Sequence, residues 1–224
     1  MSIVKSNLIK AEQIARHLFE QISQNQLIVP GKSEKELNED IFILADKLYG
    51  IKKYWHKRIV RSGVNTLAPY NENPSNLILQ EDDILFIDFG PILEDWEADL
   101  GRTFVIGNDP FKLELKDNVE AAWYEAQSWF KCKHELTGAQ LWNYIIQLAQ
   151  KYGYEYGGEI AGHLIGHFPH EKLAPNQYDL YVHPDNHQDM FLPDQNGFPR
   201  EWILEIHFVD KKRRIGGFFE QLLT

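Results

Sequence analysis

A chain of 224 residues, 43% hydrophobic and 25% charged, can bury a core and has the composition of a soluble globular fold. Its formal net charge of −10 argues against a duplex-binding surface, which advertises itself as a basic domain. Cys132, the single cysteine, excludes an intramolecular disulfide and suits a reducing compartment. The N-terminal stretch lacks an apolar signal region, and no run reaches the roughly 18–20 apolar residues of a membrane span. The expected location is therefore cytoplasmic, with neither nucleic acid nor membrane as partner.

The first predicted element is a helix. Leu8, Ala11, Ile14, Ala15, Leu18, Phe19 and Ile22 fall on one face of a 3.6-residue period. Pro30-Gly31 ends that pattern. Ser33 and Glu36 then stand as a capping box ahead of a second helix, lined by Leu37, Ile41, Leu44, Ala45 and Leu48. A strand-like run, Arg58 to Val64, follows. The later chain repeats this plan at a constant offset. Val119, Ala122, Trp123 and Ala126 match Ala15, Leu18, Phe19 and Ile22. Thr137 and Gln140 match Ser33 and Glu36, and Leu141, Ile145, Leu148 and Ala149 match Leu37, Ile41, Leu44 and Ala45. Coincident caps carry more weight than coincident apolar residues, because amphipathic helices resemble one another. The expectation is an α+β chain of two similar halves, approximately 1–105 and 106–224, related by a pseudo-twofold axis. Further strands are expected over Ile84–Phe89, Thr103–Ile106, Trp202–Val209 and Gly217–Leu223. The segment 172–200, rich in Pro, Asn, Asp and Gly, reads as a long loop, a type that is often functional.

The candidate chemistry lies in the strands. Alternation in Trp202–Val209 puts Glu205 and His207 on one face with Ile203 and Val209. Asp88 and Glu220 likewise interrupt apolar runs. Each alone is compatible with a sheet edge facing water, since ionised residues are seldom fully buried. Together with Asp99 and a histidine-rich loop holding His163, His167 and His170, they favour a cation site, because a carboxylate among apolar neighbours is costly unless paired or bound to metal.

These motifs resemble those of the pita-bread metallopeptidases: methionine aminopeptidase, aminopeptidase P, prolidase and the metal-free relative creatinase. Ile28-Val-Pro-Gly-Lys-Ser-Glu-Lys-Glu-Leu37 is similar to the family's early helix entry. Asp88-Phe-Gly90, Asp99 and Arg102-Thr-Phe104 are similar to its paired-aspartate motif. Gly162-His-Leu-Ile-Gly166 and His170-Glu171 are similar to its histidine motif, and Leu204-Glu205 and Phe219-Glu220 stand where its last carboxylate ligands belong. The resemblance, closest to the aminopeptidase P–prolidase branch, covers nearly the whole chain.

It implies a pita-bread fold with a central antiparallel sheet and two divalent metal ions, drawn from Mn, Fe, Co and Zn, since ligand type alone does not choose among them. Asp88 would hold one ion, His163 and Glu205 the other, and Asp99 and Glu220 would bridge both. A bridging water would be the nucleophile. His170 would bond substrate, Glu205 could shuttle a proton to the leaving amine, and His207 would stand beside the site or one shell out. The implied activity is an aminopeptidase or Xaa-Pro-type peptidase on a small peptide. Two alternatives remain: hydrolysis of a non-peptide C–N bond in a small metabolite, and a non-catalytic binding protein on the same scaffold, although such relatives typically lose their metal ligands. A homodimer is left open. The chain departs from the family in several places. No N-terminal accessory domain is expected. Leu164 replaces a usual glycine, His207 stands where proline is common, and the loop after His170 is longer, with Tyr178, Tyr181, His183, His187 and Met190 as candidates for a lid or pocket. Ser62-Gly-Val-Asn-Thr-Leu-Ala-Pro-Tyr70 is similar to a segment that usually ends in a substrate-positioning histidine, so Tyr70 would replace it as a neutral hydrogen-bond donor.

Overall fold

The computed structural model describes residues 2–170 and 177–224. Its elements in chain order begin with α1 (Ile3–Gln24), α2 (Glu34–Tyr49), β1 (Ile59–Ser62) and a 3-10 turn (Gly63–Leu67). Next come β2 (Ile84–Phe89), β3 (Ile92–Leu93), β4 (Trp96–Glu97) and β5 (Leu100–Val105). The later part holds α3 (Pro110–Lys131), α4 (Gly138–Lys151), β6 (Glu155–Tyr156), β7 (Gly162–Ile165), β8 (Glu201–Asp210) and β9 (Ile215–Leu222).

Local chemistry explains the helix boundaries. The Ser33 hydroxyl accepts from the Glu36 amide, and the Glu36 carboxylate accepts from the Ser33 amide, closing the expected capping box of α2. Gly50 ends that helix in the left-handed region at φ 68°, which glycine adopts without a Cβ clash. Thr137 and Gln140 form the second capping box at α4. Asp109 caps α3 ahead of Pro110, whose missing N–H falls among the orphan donors of a first turn.

Seven strands form one antiparallel sheet in the order β1-β2-β5-β9-β8-β6, with β7 also pairing with β8. Helices α1 and α2 pack on the first part of the sheet through Ala15, Phe19, Ile22, Leu37 and Ile41 against Leu85, Ile87 and Phe89. Helices α3 and α4 cover the later part through Val119, Trp123, Leu141 and Ile145 against Leu204, Ile206 and Phe208. Trp123 is fully buried, and its indole donates to the Leu204 carbonyl at 2.8 Å. Truncating such an anchor to alanine costs about 3–5 kcal/mol. Where β5 meets β9, at Gly101 and Glu220, side chains extend the seam. The Thr103 hydroxyl donates to the Phe218 carbonyl (2.8 Å) and accepts from the Phe218 amide (2.6 Å), and Arg102 donates to the Glu220 carbonyl (2.7 Å).

Two stretches differ from expectation. The strand-like run Arg58 to Val64 is a strand only over Ile59–Ser62 and passes at Gly63 into the 3-10 turn. The histidine-bearing segment at Gly162 is a strand rather than a loop: β7 pairs His163 with Ile203 of β8, and its Leu164 amide donates to the Leu180 carbonyl. It reads as a loop in sequence because a four-residue strand with a polar centre shows too little alternation. The described part of 172–200 carries no helix or strand, as expected. No helix among the described residues is long and apolar enough to cross a membrane.

Candidate metal centre

Strand register assembles the site. Asp88 of β2 pairs with Gly101 of β5, Gly101 with Glu220 of β9, and Glu220 with Glu205 of β8. Side chains paired across a sheet share a face, so these carboxylates form one row. Gly101 leaves a gap in that row that a Cβ would close, meeting Phe218 at 2.3 Å and the Glu220 Cβ at 3.0 Å. Asp99, just before β5, points to the same face. Asp88, Asp99 and Glu220 are all buried, Asp99 at 3% and Glu220 at 2% exposure. Asp99, His163 and Glu220 bring ligand atoms within 4.8 Å of one another, and so do Asp88, Asp99 and His56. Glu205 stands outside both groups, partly exposed, in the wall of the same cavity.

His56 is one of two residues here that sequence reading missed. Its Nε2 lies 3.1 Å from Asp99 Oδ1 and 3.5 Å from Asp88 Oδ1, while His163 Nε2 lies 3.1 Å from Asp99 Oδ2. Each imidazole thus takes one oxygen of Asp99. Burial would lower His56 and His163, but the bond and charge of Asp99 outweigh it and lift each to about 9. Burial raises Asp88 to about 7 despite His56, with the charge of Asp99 adding to the rise. Burial also pushes Glu205 up to about 8 against the pull of His163, and it raises Glu220 well above the carboxylate range together with Asp99, Asp88 and Glu205. Asp99 moves the other way: burial would raise it, but His56 and His163 hold it well below the usual range.

A second layer positions the remaining candidates. His170 Nδ1 lies 2.7 Å from the carboxylate of Glu97, which is 1% exposed and also accepts from the amides of Gly166 and His170. A carboxylate on Nδ1 leaves the lone pair of the neutral ring on Nε2. Glu97, the last residue of β4, was not singled out in sequence; it lines the same cavity as Asp99. Tyr70 is 48% exposed. Its ring meets His56 edge-on at 6.0 Å, and the Lys57 ammonium sits 4.5 Å from its centroid. Arg61 donates to the carbonyls of Ala68, Pro69, Tyr70 and Glu72 and fixes that segment. Burial raises the Tyr70 phenol, which keeps it protonated. His207 is buried between Phe86 and Phe218, bonds the Thr66 carbonyl at 2.8 Å through Nε2, and is pushed down by burial to about 4. Of the loop residues expected to form a lid, Tyr181 lines the cavity. Met190 lies in the core, His187 is exposed, and Tyr178 stacks on His183 at 3.8 Å. His167 packs edge-on to Trp96. Glu171 lies outside the described residues.

The row opens into a cavity of about 580 Å³, lined on its apolar side by Ile59, Phe86, Leu164, Phe168, Leu180 and Phe218. That is the size and character of a small-molecule pocket. The donors fit divalent metal. Asp88 Oδ1 and Glu220 Oε2 are buried without a hydrogen-bond partner, and buried carboxylates without a cation leave their charge uncompensated. Oxygen-rich donors with imidazole suit a first-row divalent ion.

Residues 6–194 match the model of metallopeptidase family M24. The chain belongs to that family and has its pita-bread fold. The match includes Asp88, Asp99, His163 and His170; Glu205 and Glu220 follow it on the same sheet. Similar solved structures include a prolidase from Thermococcus sibiricus (TM-score 0.76, 22% identity, 98% of this chain and 59% of that one). An X-Pro aminopeptidase from Thermotoga maritima has a TM-score of 0.76 at 22% identity, over 97% of this chain and 59% of that one. A methionine aminopeptidase from Rickettsia prowazekii has 0.69 at 15%, over 99% and 95%. The chain therefore spans 59% of the length of the first two. None of the curated protein sequences compared with the chain matches it.

Proposed function

We propose that this chain is a metal-dependent peptidase of aminopeptidase or dipeptidase type, cleaving an amide bond of a small peptide. In this reading two divalent ions are held by Asp88, Asp99, His163, Glu205 and Glu220. The observation that carries it is the convergence of buried, partly unpartnered carboxylates and imidazole at the head of a cavity of small-molecule size, in a chain of the M24 family. Such ions, when bound, supply Lewis acidity toward a carbonyl and a nucleophile at neutral pH.

The protein's own groups divide the remaining work. Glu205, the carboxylate that keeps some exposure to the cavity, takes up a proton and returns it to the leaving amine. His170, held in one orientation by Glu97, accepts a hydrogen bond from a substrate N–H through the Nε2 lone pair. Tyr70 donates its phenolic hydrogen as a neutral group. His207 holds the wall between Phe86 and Phe218 rather than carrying protons, because its Nε2 is committed to the backbone and its neutral form is strongly favoured.

The test is hydrolysis by the chelated and reloaded protein. Xaa-Pro peptides, Met-peptides and small N-acyl amides are assayed after chelation and after addition of Mn, Co, Fe or Zn. Peptide cleavage that chelation abolishes and metal restores is expected. Turnover of only a non-peptide amide would move the substrate class, and bound metal without turnover of any amide would overturn the reading.

A further inference from the structure

We infer that His56 is a second imidazole ligand of the metal centre, binding through Nε2 on the Asp88–Asp99 side. The inference rests on the metal-centre reading above and deepens it, since that reading gives the centre one histidine.

Three observations carry it. The first is the wiring of the ring. His56 Nδ1 lies 2.7 Å from the carbonyl of the next residue, Lys57, and His163 Nδ1 lies 2.9 Å from the carbonyl of its next residue, Leu164. A metal-binding histidine typically donates its other ring N–H to a carbonyl or carboxylate, which fixes the tautomer and turns the lone pair to the metal. His56 has the same arrangement as His163, mirrored across the two oxygens of Asp99. The second is an acceptor without a donor. Asp88 Oδ1, buried and lacking a hydrogen-bond partner, lies 3.5 Å from His56 Nε2. Metal–ligand bonds of about 2.1 Å place neighbouring ligand atoms about 3.0–3.5 Å apart, so both separations suit ligands of one ion. The third is built space. A Cβ at Gly90 would meet His56 Cδ2 at 2.2 Å, His56 Nε2 at 2.4 Å and Trp55 Nε1 at 2.4 Å. Trp55 in turn donates its indole to the Ala98 carbonyl at 3.1 Å and its amide lies 3.0 Å from the Gly90 carbonyl. The turn carrying His56 is thus pinned directly above the paired aspartates.

A consequence follows for metal choice. Imidazole on both sides of Asp99 ranks Zn, Co and Fe above the oxygen-preferring Mn and Mg.

The test counts ligated histidines with Co(II). In a Co(II)-loaded protein, each bound imidazole gives a paramagnetically shifted, exchangeable Nδ1–H proton resonance, protected here by its carbonyl partner. Wild type is expected to show two. His56→Gln should show one and bind one of two Co(II) equivalents about 100-fold more weakly in equilibrium dialysis. His163→Gln should lose the other resonance. Far-UV circular dichroism of the metal-free variants checks their fold, and a single resonance in wild type overturns the inference even if a variant misfolds. A single shifted resonance in wild type, unchanged in His56→Gln, overturns the inference and leaves the metal centre standing. Absence of bound Co(II) in wild type overturns both.

Discussion

The chain up to residue 105 and the chain after it bring like groups to one cavity. The first supplies Asp88 and Asp99 with His56, and the second supplies Glu205 and Glu220 with His163. The difference lies in how each histidine is held. His163 stands on β7, registered against Ile203 by the sheet ladder. His56 stands on a turn between α2 and β1, held by Trp55 and by the space over Gly90. A ligand on a strand inherits its position from the backbone ladder. A ligand on a turn depends on tertiary packing and is the easier of the two to displace.

The largest effect should come from Asp99, which serves both halves with one oxygen each. Asp99→Asn is expected to remove metal and bring hydrolysis below detection, as is Glu220→Gln, with the fold kept at high metal concentration. Elemental analysis and peptide assay check this; unchanged metal content and activity in both variants would remove the site assignment.

Metal removal should expose the electrostatics of the centre as a pH effect. His56 and His163, raised to about 9, contribute stability that is present below the unfolded value of about 6.5 and lost as pH rises through 9. Asp88 and Glu205, raised to about 7 and about 8, have the same sign, since the folded state holds protons the unfolded chain has released. Asp99 opposes them only below about pH 4, where carboxylates of ordinary pKa titrate. His207, depressed to about 4, opposes them only between 4 and 6.5, where its stabilising contribution is lost as pH falls. Between pH 6.5 and 9 the terms agree. The melting temperature of the chelated protein should fall across that window and the metal-loaded protein should hold steady. A flat profile for the chelated protein would show that the cluster is not desolvated.

This asymmetry also marks what the sequence could disclose. Asp88, Glu205 and Glu220 were legible because each breaks an apolar strand run, and strand alternation predicts a shared face. The capping boxes were legible because they are local. His56 was not, because nothing in Tyr54-Trp-His-Lys-Arg58 has a period; its approach to Asp99 exists only once β1, β2 and β5 are in register. Glu97 was missed because its partner His170 lies on a distant segment. The strand character of β7 depends on β8 and on the chain at Leu180, neither of which is a local signal.

At the cavity mouth each part of the chain supplies one group, Tyr70 with its backbone carbonyl held by Arg61 and His170 with its ring held by Glu97. Tyr70→Phe keeps the ring and removes the hydroxyl. If that hydroxyl steadies developing charge, kcat should fall about 10²-fold with metal content unchanged. Wild-type rates in the variant would assign the mouth to the second half alone.

The seam between β5 and β9 offers a smaller effect. Thr103→Val keeps the shape but strips two bonds from the buried Phe218 backbone, which should cost about 2 kcal/mol. At roughly 2–4 °C per kcal/mol for a chain of this size, the melting temperature should drop by about 4–8 °C while metal stoichiometry is kept. A drop of less than 1 °C would show that the seam is held by other contacts.

The smallest effect discriminates the halves most directly, because the same device appears in each with different chemistry. Ser33 is buried, and its amide and hydroxyl both donate to the Glu36 carboxylate, at 2.8 and 2.7 Å. At α4 the equivalent acceptor is the neutral Gln140 amide oxygen, 2.9 Å from the Thr137 amide. Charge-assisted bonds are roughly twice as strong as neutral ones, and a carboxylate in the first turn also complements the helix dipole. Residue Glu36 is held below the ordinary carboxylate range by the Ser33 backbone and side-chain bonds, which is the same preference seen from the proton's side. Ser33→Ala should therefore destabilise by about 1–2 kcal/mol and Thr137→Ala by about 0.5–1 kcal/mol. Denaturant melts of both variants at neutral pH measure the difference. Because protonation of Glu36 removes the charge, the excess cost of Ser33→Ala should shrink toward that of Thr137→Ala as pH falls through the carboxylate range. Equal costs at neutral pH, or a larger cost at Thr137, would show that the two caps differ in sequence alone and not in energy.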